Sequence, residues 1–322
     1  MKPKVLNTIP KSLFETHCKR AKKLLEDNGF EVLTYQGERV MTADEIKAVG
    51  SDLCAAIVGC DAWTEEVIAA CPKLKVLARF GIGVESIDLE AAKRHGVKVC
   101  NARGMNSDSV AEMTILQVLA VYRNLINLDR TTREGDWMRY AGHTIHNKVY
   151  GLIGFGAIAQ NVAKLLSGFG VREILAYDMF PNHEAAGRLG VTLTDFESVV
   201  TKSDIISLHV PGTKDTAGLF NESVFRKMKS EAILINVARG SVVSQSALYR
   251  ALKEHWIAGA GLDVYEAEPT GRGNPLFTLN NIVLTPHQAG DTKETFDAVS
   301  YFDAQVILDV MNGKEPPNWL NR

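Results

Sequence analysis

The chain has 322 residues, 46% of them hydrophobic and 23% charged, with a formal net charge of −2 and a pI near 6.5. That is material for one large or two medium domains with real cores, and the near balance of charge gives no electrostatic reason to expect nucleic acid as a partner. The N-terminal stretch lacks the apolar run of a signal peptide and no later segment approaches the ~18 uninterrupted apolar residues of a membrane span, so the expectation is a cytoplasmic protein with no membrane partner.

In the first hundred residues, strand-like runs at Val5–Ile9, Glu31–Thr34, Ala55–Val58, Leu74–Ala78 and Val97–Cys100 alternate with helix-like segments such as Ser12–Asn28 and Thr64–Ala70. Alternation of this kind is the signature of a parallel α/β layer. All five cysteines, Cys18, Cys54, Cys60, Cys71 and Cys100, fall here. They are odd in number and lack metal-ligand spacing, so they read as reduced thiols, mostly buried, with no metal site. Cys60, between Gly59 and Asp61 after an apparent strand, is the one placed for reactivity. From Ser109 to Leu128 the sequence is apolar on nearly every face and predicts a helix covered on most sides, either inside the domain or at a subunit interface.

A second alternating series starts at Lys148, with strands near Tyr150–Ile153, Ile174–Tyr177, Ile205–His209, Ile233–Asn236, Gly259–Leu262 and Ile282–Leu284. Six strands suit a full dinucleotide fold, and Thr292–Met311 reads as one long final helix. Directly after the first of these strands come Gly154, Phe155, Gly156, Ala157, Ile158 and Ala159, opening a helix that runs to about Phe169. Gly154 permits a tight turn, and Gly156 lets a pyrophosphate approach the backbone. The helix start offers unpaired N–H groups and a positive dipole end. Alone the motif is weak. About twenty residues on, however, Asp178 ends the next strand, where a carboxylate binds both ribose hydroxyls and repels a 2′-phosphate. No Arg or Lys follows until Arg188, so the expected cofactor is NAD.

Three later strands each end on a polar residue: Arg239 in ILINVARG, Glu268 in GLDVYEAEP and His287 in NIVLTPHQAG. Strand carboxyl ends are where doubly wound sheets build sites. Arginine offers a planar fork for a carboxylate, histidine exchanges a proton near neutral pH, and glutamate orients the imidazole and favours its charged form. Each residue singly also reads as an ordinary loop side chain, and spacing alone does not assemble them.

Taken in order, GFGAIA, Asp178, HVPGTKDTAGLF, ILINVARG, GLDVYEAEP and TPHQAG resemble the D-isomer-specific 2-hydroxyacid dehydrogenases, and the resemblance is densest from Leu74 to Gly290. It implies Arg239 on the substrate, His287 as acid/base and Glu268 as its carboxylate partner. ARFGIGVESIDL resembles the stretch whose amides, around Ile82 and Gly83, grip the substrate carboxylate. Asn106 falls near the substrate, Val110 near the nicotinamide, and His209, Pro211 and Thr213 on the adenosine side, with Val237, Ala238 and Asp263 completing the cofactor set. The resemblance further implies a Rossmann NAD domain (105–290) inserted in a flavodoxin-like substrate domain (1–104 and 291–322), closure of the two domains to exclude water, and a homodimer.

Departures from the family pattern bear on the substrate. The loop Gly59 to Trp63 lacks the basic residue that many phosphoglycerate-specific members carry, Asp61 there would repel phosphate if it faced the cleft, and Trp63 reads as either a pocket wall or scaffold. Arg79 argues the other way, since phosphoglycerate-type relatives keep it and it could reach the site. Arg103 and Ser244 depart without an assigned role, and the end at Arg322 predicts no appended regulatory module. The balance favours a small unphosphorylated 2-keto or 2-hydroxy acid. Alternatives are phosphoglycerate dehydrogenase proper, a NAD-binding corepressor-like regulator, and a hydride enzyme for formate or phosphite.

Overall fold

The structure, a computed structural model, describes residues 2–137 and 139–322. It divides into two compact units, Met1–Asn106 with Asp291–Arg322, and Ser107–Gly290.

In the first unit five parallel strands, β1 (Lys4–Asn7), β2 (Glu31–Thr34), β3 (Leu53–Val58), β4 (Val76–Arg79) and β5 (Lys98–Asn101), lie in the order β2-β1-β3-β4-β5. This is the flavodoxin-like order. The central β3 is buried along its whole length, as a strand covered by helices on both faces must be. The expected helix Ser12–Asn28 is two helices, Lys11–His17 and Lys19–Asp27, broken at Cys18. That residue is fully buried, and its backbone leaves helical geometry to turn the chain over the core. The long helix Lys293–Met311 packs on Lys19–Asp27 and on β4.

The second unit holds seven parallel strands: β6 (Val149–Ile153), β7 (Glu173–Tyr177), β8 (Val191–Leu193), β9 (Ile205–Leu208), β10 (Ile233–Asn236), β11 (Gly259–Leu262) and β12 (Ile282–Leu284). Their order is β12-β11-β10-β9-β6-β7-β8. Strand β8 extends the six-strand expectation by one; its residues, Val191, Thr192 and Leu193, form no continuous apolar run and Val191 alone is buried, so nothing in the sequence marks it as a strand. The apolar stretch from Ser109 is also two helices, Ser107–Tyr122 and Leu125–Arg133, separated where Asn124 adopts a left-handed φ of 50°. The first packs on the glycine-loop helix Ala157–Leu166 and on β10 and β11. Among the described residues no helix is long and apolar enough to cross a membrane.

Candidate active site

Sheet order reverses between β6 and β9, and the carboxyl ends there form the crevice in which doubly wound sheets hold ligands. Gly154 ends β6 with φ 90°, and a Cβ on it would lie 2.8 Å from the carbonyl carbon and oxygen of His209 at the end of β9. Only glycine tolerates both that angle and that approach. Gly156 caps Ala157–Leu166 with no side-chain bond and has nothing within 4 Å of an added Cβ, leaving the helix-start amides and the space in front of them for a pyrophosphate. These residues fit a dinucleotide.

Asp178 follows β7. Its Oδ2 accepts from Phe155 N at 2.6 Å and its Oδ1 from Phe180 N at 2.8 Å, so the carboxylate is fixed against the glycine loop. Burial holds the His209 pKa down at about 3, and its Nε2 lies 2.8 Å from Ser207 Oγ. It is therefore a neutral wall residue. Pro211 and Thr213 sit in the loop that follows, where Thr216 Oγ1 donates to Pro211 O at 2.6 Å and Thr213 N donates to Thr216 Oγ1 at 2.8 Å. An added Cβ on Gly212 would lie 3.1 Å from Arg239 Cβ, so this cofactor-side loop rests on the stem of the arginine. Val110 is buried in the helix above the sheet.

Arg239 lies just past β10. The turn is shaped by Asn236, whose Nδ2 donates to Arg239 O at 3.0 Å and whose Oδ1 accepts from Ala238 N at 3.0 Å, while Val237 is buried. Beyond β11, Glu268 Oε1 accepts from Tyr265 N at 2.8 Å and Oε2 lies 2.6 Å from His287 Nδ1. The imidazole is about half exposed and its residue adopts a left-handed φ of 55°. Asp263 maintains that conformation: fully buried, it accepts from Thr285 Oγ1 (2.5 Å), Gln288 N (2.9 Å) and Ala289 N (2.8 Å), while its carbonyl accepts from His287 N at 2.7 Å. Asp263, which the family resemblance assigns to the cofactor set, also braces the histidine loop. Sequence reasoning missed Asn236, Tyr265 and Thr285; polar residues at strand ends were the available signal.

In the first unit, Asn101 Nδ2 donates to Ile82 O at 2.8 Å and Arg79 Nε to Gly83 O at 2.8 Å, fixing the peptide planes of that loop. Arg79 Nη1 also donates to the carbonyls of Val58 and Phe80, and Nη2 lies 3.8 Å from Cys60 Sγ. The arginine expected on substrate thus spends most of its fork on main-chain carbonyls. Of the two readings of Trp63 the structure shows the scaffold one, and Asp61 is buried with it. Trp63 is fully buried and its Nε1 donates to Asp61 Oδ2 at 2.5 Å, while Asp61 Oδ1 also accepts from Thr8 Oγ1. Neither side chain is exposed to repel a phosphate or to wall a pocket, because the indole needs an acceptor once buried. Asn106 ends this part of the unit. All five cysteines are free thiols, four buried and Cys60 exposed. Among the described residues no group of three or more His, Cys, Asp or Glu is placed to hold a metal ion.

Comparison with known proteins matches residues 115–289 to the NAD-binding domain of the D-isomer specific 2-hydroxyacid dehydrogenases. A glyoxylate reductase of Korarchaeum cryptofilum is 39% identical over 80% of this chain and 79% of its own length. A D-3-phosphoglycerate dehydrogenase of Archaeoglobus fulgidus is 42% identical over 80% of this chain but only 49% of its own. Among solved structures, the D-lactate dehydrogenase of Lactobacillus jensenii with NAD+ superposes with a TM-score of 0.83 at 27% identity, covering 99% of this chain and 100% of that one. The glycine loop, the carboxylate of Asp178 fixed against it and the His287–Glu268 pair thus agree with kinship across the chain, which belongs to the D-isomer specific 2-hydroxyacid dehydrogenase family and is an NAD-dependent oxidoreductase of small 2-hydroxy and 2-keto acids.

Proposed function

We propose that the chain reduces a small unphosphorylated 2-keto acid, glyoxylate foremost, with His287 as the proton donor. The observation that carries this reading is the 2.6 Å pairing of His287 Nδ1 with Glu268 Oε2, on a loop two strands from Arg239. With Nδ1 held by the carboxylate, Nε2 is the nitrogen left to meet the carbonyl oxygen. Arg239 offers its guanidinium to the substrate carboxylate, and the amides of Ile82 and Gly83 are assigned to the same carboxylate by family resemblance. Asn106 and Val110 keep their expected places on the same ground. Gly154–Ile158 and Asp178 would hold NADH, which would supply the hydride for reduction of the keto carbon. Residues 107–290 act as the NAD domain and the remaining residues as the substrate domain.

The preference for an unphosphorylated acid rests on Arg79, whose Nε and Nη1 are bonded to the main-chain carbonyls of Gly83, Val58 and Phe80. A buried dianion needs matched cationic donors. The glyoxylate reductase relative agrees with it. A homodimer is supported by exposed Leu116, Leu125, Ile126, Trp137 and Tyr140, which crowd one stretch of sequence. The five free thiols suit a reducing compartment such as the cytoplasm.

Initial rates of NADH oxidation with glyoxylate, hydroxypyruvate, pyruvate and 3-phosphohydroxypyruvate test the proposal. Glyoxylate or hydroxypyruvate should give the highest kcat/KM. A phosphate ester preferred by about tenfold or more overturns the substrate assignment. NADH binding without turnover of any keto acid would favour a regulator.

A further inference from the structure

The loop that carries Glu268 leaves β11 and returns only at β12, and two of its side chains, one on each flank of Glu268, bond a single residue outside it. Gln245 is the first residue of the helix Gln245–Lys253, which follows the arginine turn. Its backbone N–H donates to Glu266 Oε1 at 2.8 Å, two residues before Glu268. Its side-chain Oε1 accepts from Asn274 Nδ2 at 3.1 Å, six residues after Glu268. Asn274 in turn donates to Thr270 Oγ1 at 2.8 Å and, through Oδ1, accepts from Leu276 N at 3.0 Å, so it anchors the far flank of the loop. Both flanks of the catalytic loop are therefore tied to one residue whose own position is set by a capped helix.

We propose that Gln245 is a positioning residue for the reaction: its backbone and side-chain arms clamp the two flanks of the Glu268 loop and so hold the Glu268 carboxylate at His287. The inference rests on the acid/base reading of that pair. Glu268 is a third exposed and, among the described residues of its own loop, is bonded to Tyr265 N. Its aim therefore depends on the loop's anchors. Glu266 and Asn274 act as the two partners of the clamp.

The chemistry predicts a coupling that plain destabilisation does not produce. Gln245→Ala removes the side-chain arm and should lower kcat for keto-acid reduction by about three- to tenfold, the worth of one net hydrogen bond, with the Kd for NADH within about twofold of wild type. Glu266→Ala removes the other arm and should do the same. Gln245→Glu retains an acceptor oxygen for Asn274 and should recover most of the rate. In a Glu268→Gln background, Gln245→Ala should cost nothing further, because residues acting through one shared group are not additive. A full, additive loss in that background overturns the proposal, as does an unchanged kcat in both alanine variants or an equal weakening of NADH binding. Glu268→Gln alone at wild-type rate would instead sink the acid/base reading itself, which separates the two failures.

Discussion

The backbone of Gly240 runs so close to Tyr265 that a Cβ added to it would lie 1.8 Å from the tyrosine's carbonyl oxygen and 2.6 Å from Glu266 N. The arginine turn and the glutamate loop are thus seated on one another with no room for a single methyl group. Gly240→Ala must push the two apart by an ångström or more, and misplacement on that scale costs about a hundredfold in rate. kcat for keto-acid reduction should fall by that order while NADH quenching of protein fluorescence shows near-normal affinity. A variant with normal kcat would show that the loops yield freely.

His287→Ala should lower kcat/KM by about 10²–10⁴-fold, the usual contribution of a positioned acid/base. Glu268→Gln, which keeps the shape of the side chain but not its charge, should lie between wild type and that variant. The comparison is made with saturating NADH, because neither residue belongs to the glycine loop. Retained activity in His287→Ala removes the proposed proton donor.

Asp178 presents its charge from a position fixed by Phe155 N and Phe180 N. NADPH should be a poor donor, and Asp178→Ser should narrow the gap between the two cofactors by about tenfold or more, chiefly through KM. Equal kcat/KM for NADH and NADPH in the wild-type enzyme would contradict the role given to the carboxylate.

Asp303 is 1% exposed, and among the described residues neither carboxylate oxygen has a hydrogen-bond partner. Burial pushes its pKa well above the ordinary value, with Arg79 pulling weakly the other way. The same apolar setting, with Asp303 adding to it, pushes the Cys100 thiol up to about 12. The folded state therefore binds this proton more tightly than the unfolded chain does. Stability is unpenalised below the unfolded pKa of about 4 and declines as pH rises from there through the raised value. Asp303→Asn should raise Tm by a few °C at neutral pH, by the order of about 1 kcal/mol, and the gain should vanish near pH 4. An equal Tm difference at both pH values would mean that ionisation is not the cause.

Leu125 and Ile126 are about half exposed. If they pair two copies, Ile126→Glu should shift the mass by light scattering from dimer to monomer with kcat little changed. A wild-type monomer at micromolar concentration would remove the dimer.

Much of this was legible in the sequence. Ile233–Asn236, Gly259–Leu262 and Ile282–Leu284 are strands with the bounds expected, because short buried β-branched or small-residue runs end sharply at polar residues. The helix breaks at Cys18 and Asn124 were not legible: one residue is as apolar as a helix interior demands, and the other departs only in its φ. The pairing of Glu268 with His287 spans 19 residues and could be expected only from family resemblance, since no local pattern brings two strand ends together. The burial of Asp61 beneath Trp63 escaped for the same reason. A charged residue in a loop reads as exposed unless its distant partner, here Thr8, is known.

The parallel order of the seven-stranded sheet also sets a sequence of failure. The glycine loop leaves β6 in the middle of the sheet, whereas His287 hangs from β12, a three-residue strand paired on one side only. Margins fray before centres. Under mild denaturant the β12 edge should therefore open before the interior strand β6, displacing the proposed proton donor while the glycine loop still holds dinucleotide. Loss of turnover is then expected to precede loss of cofactor.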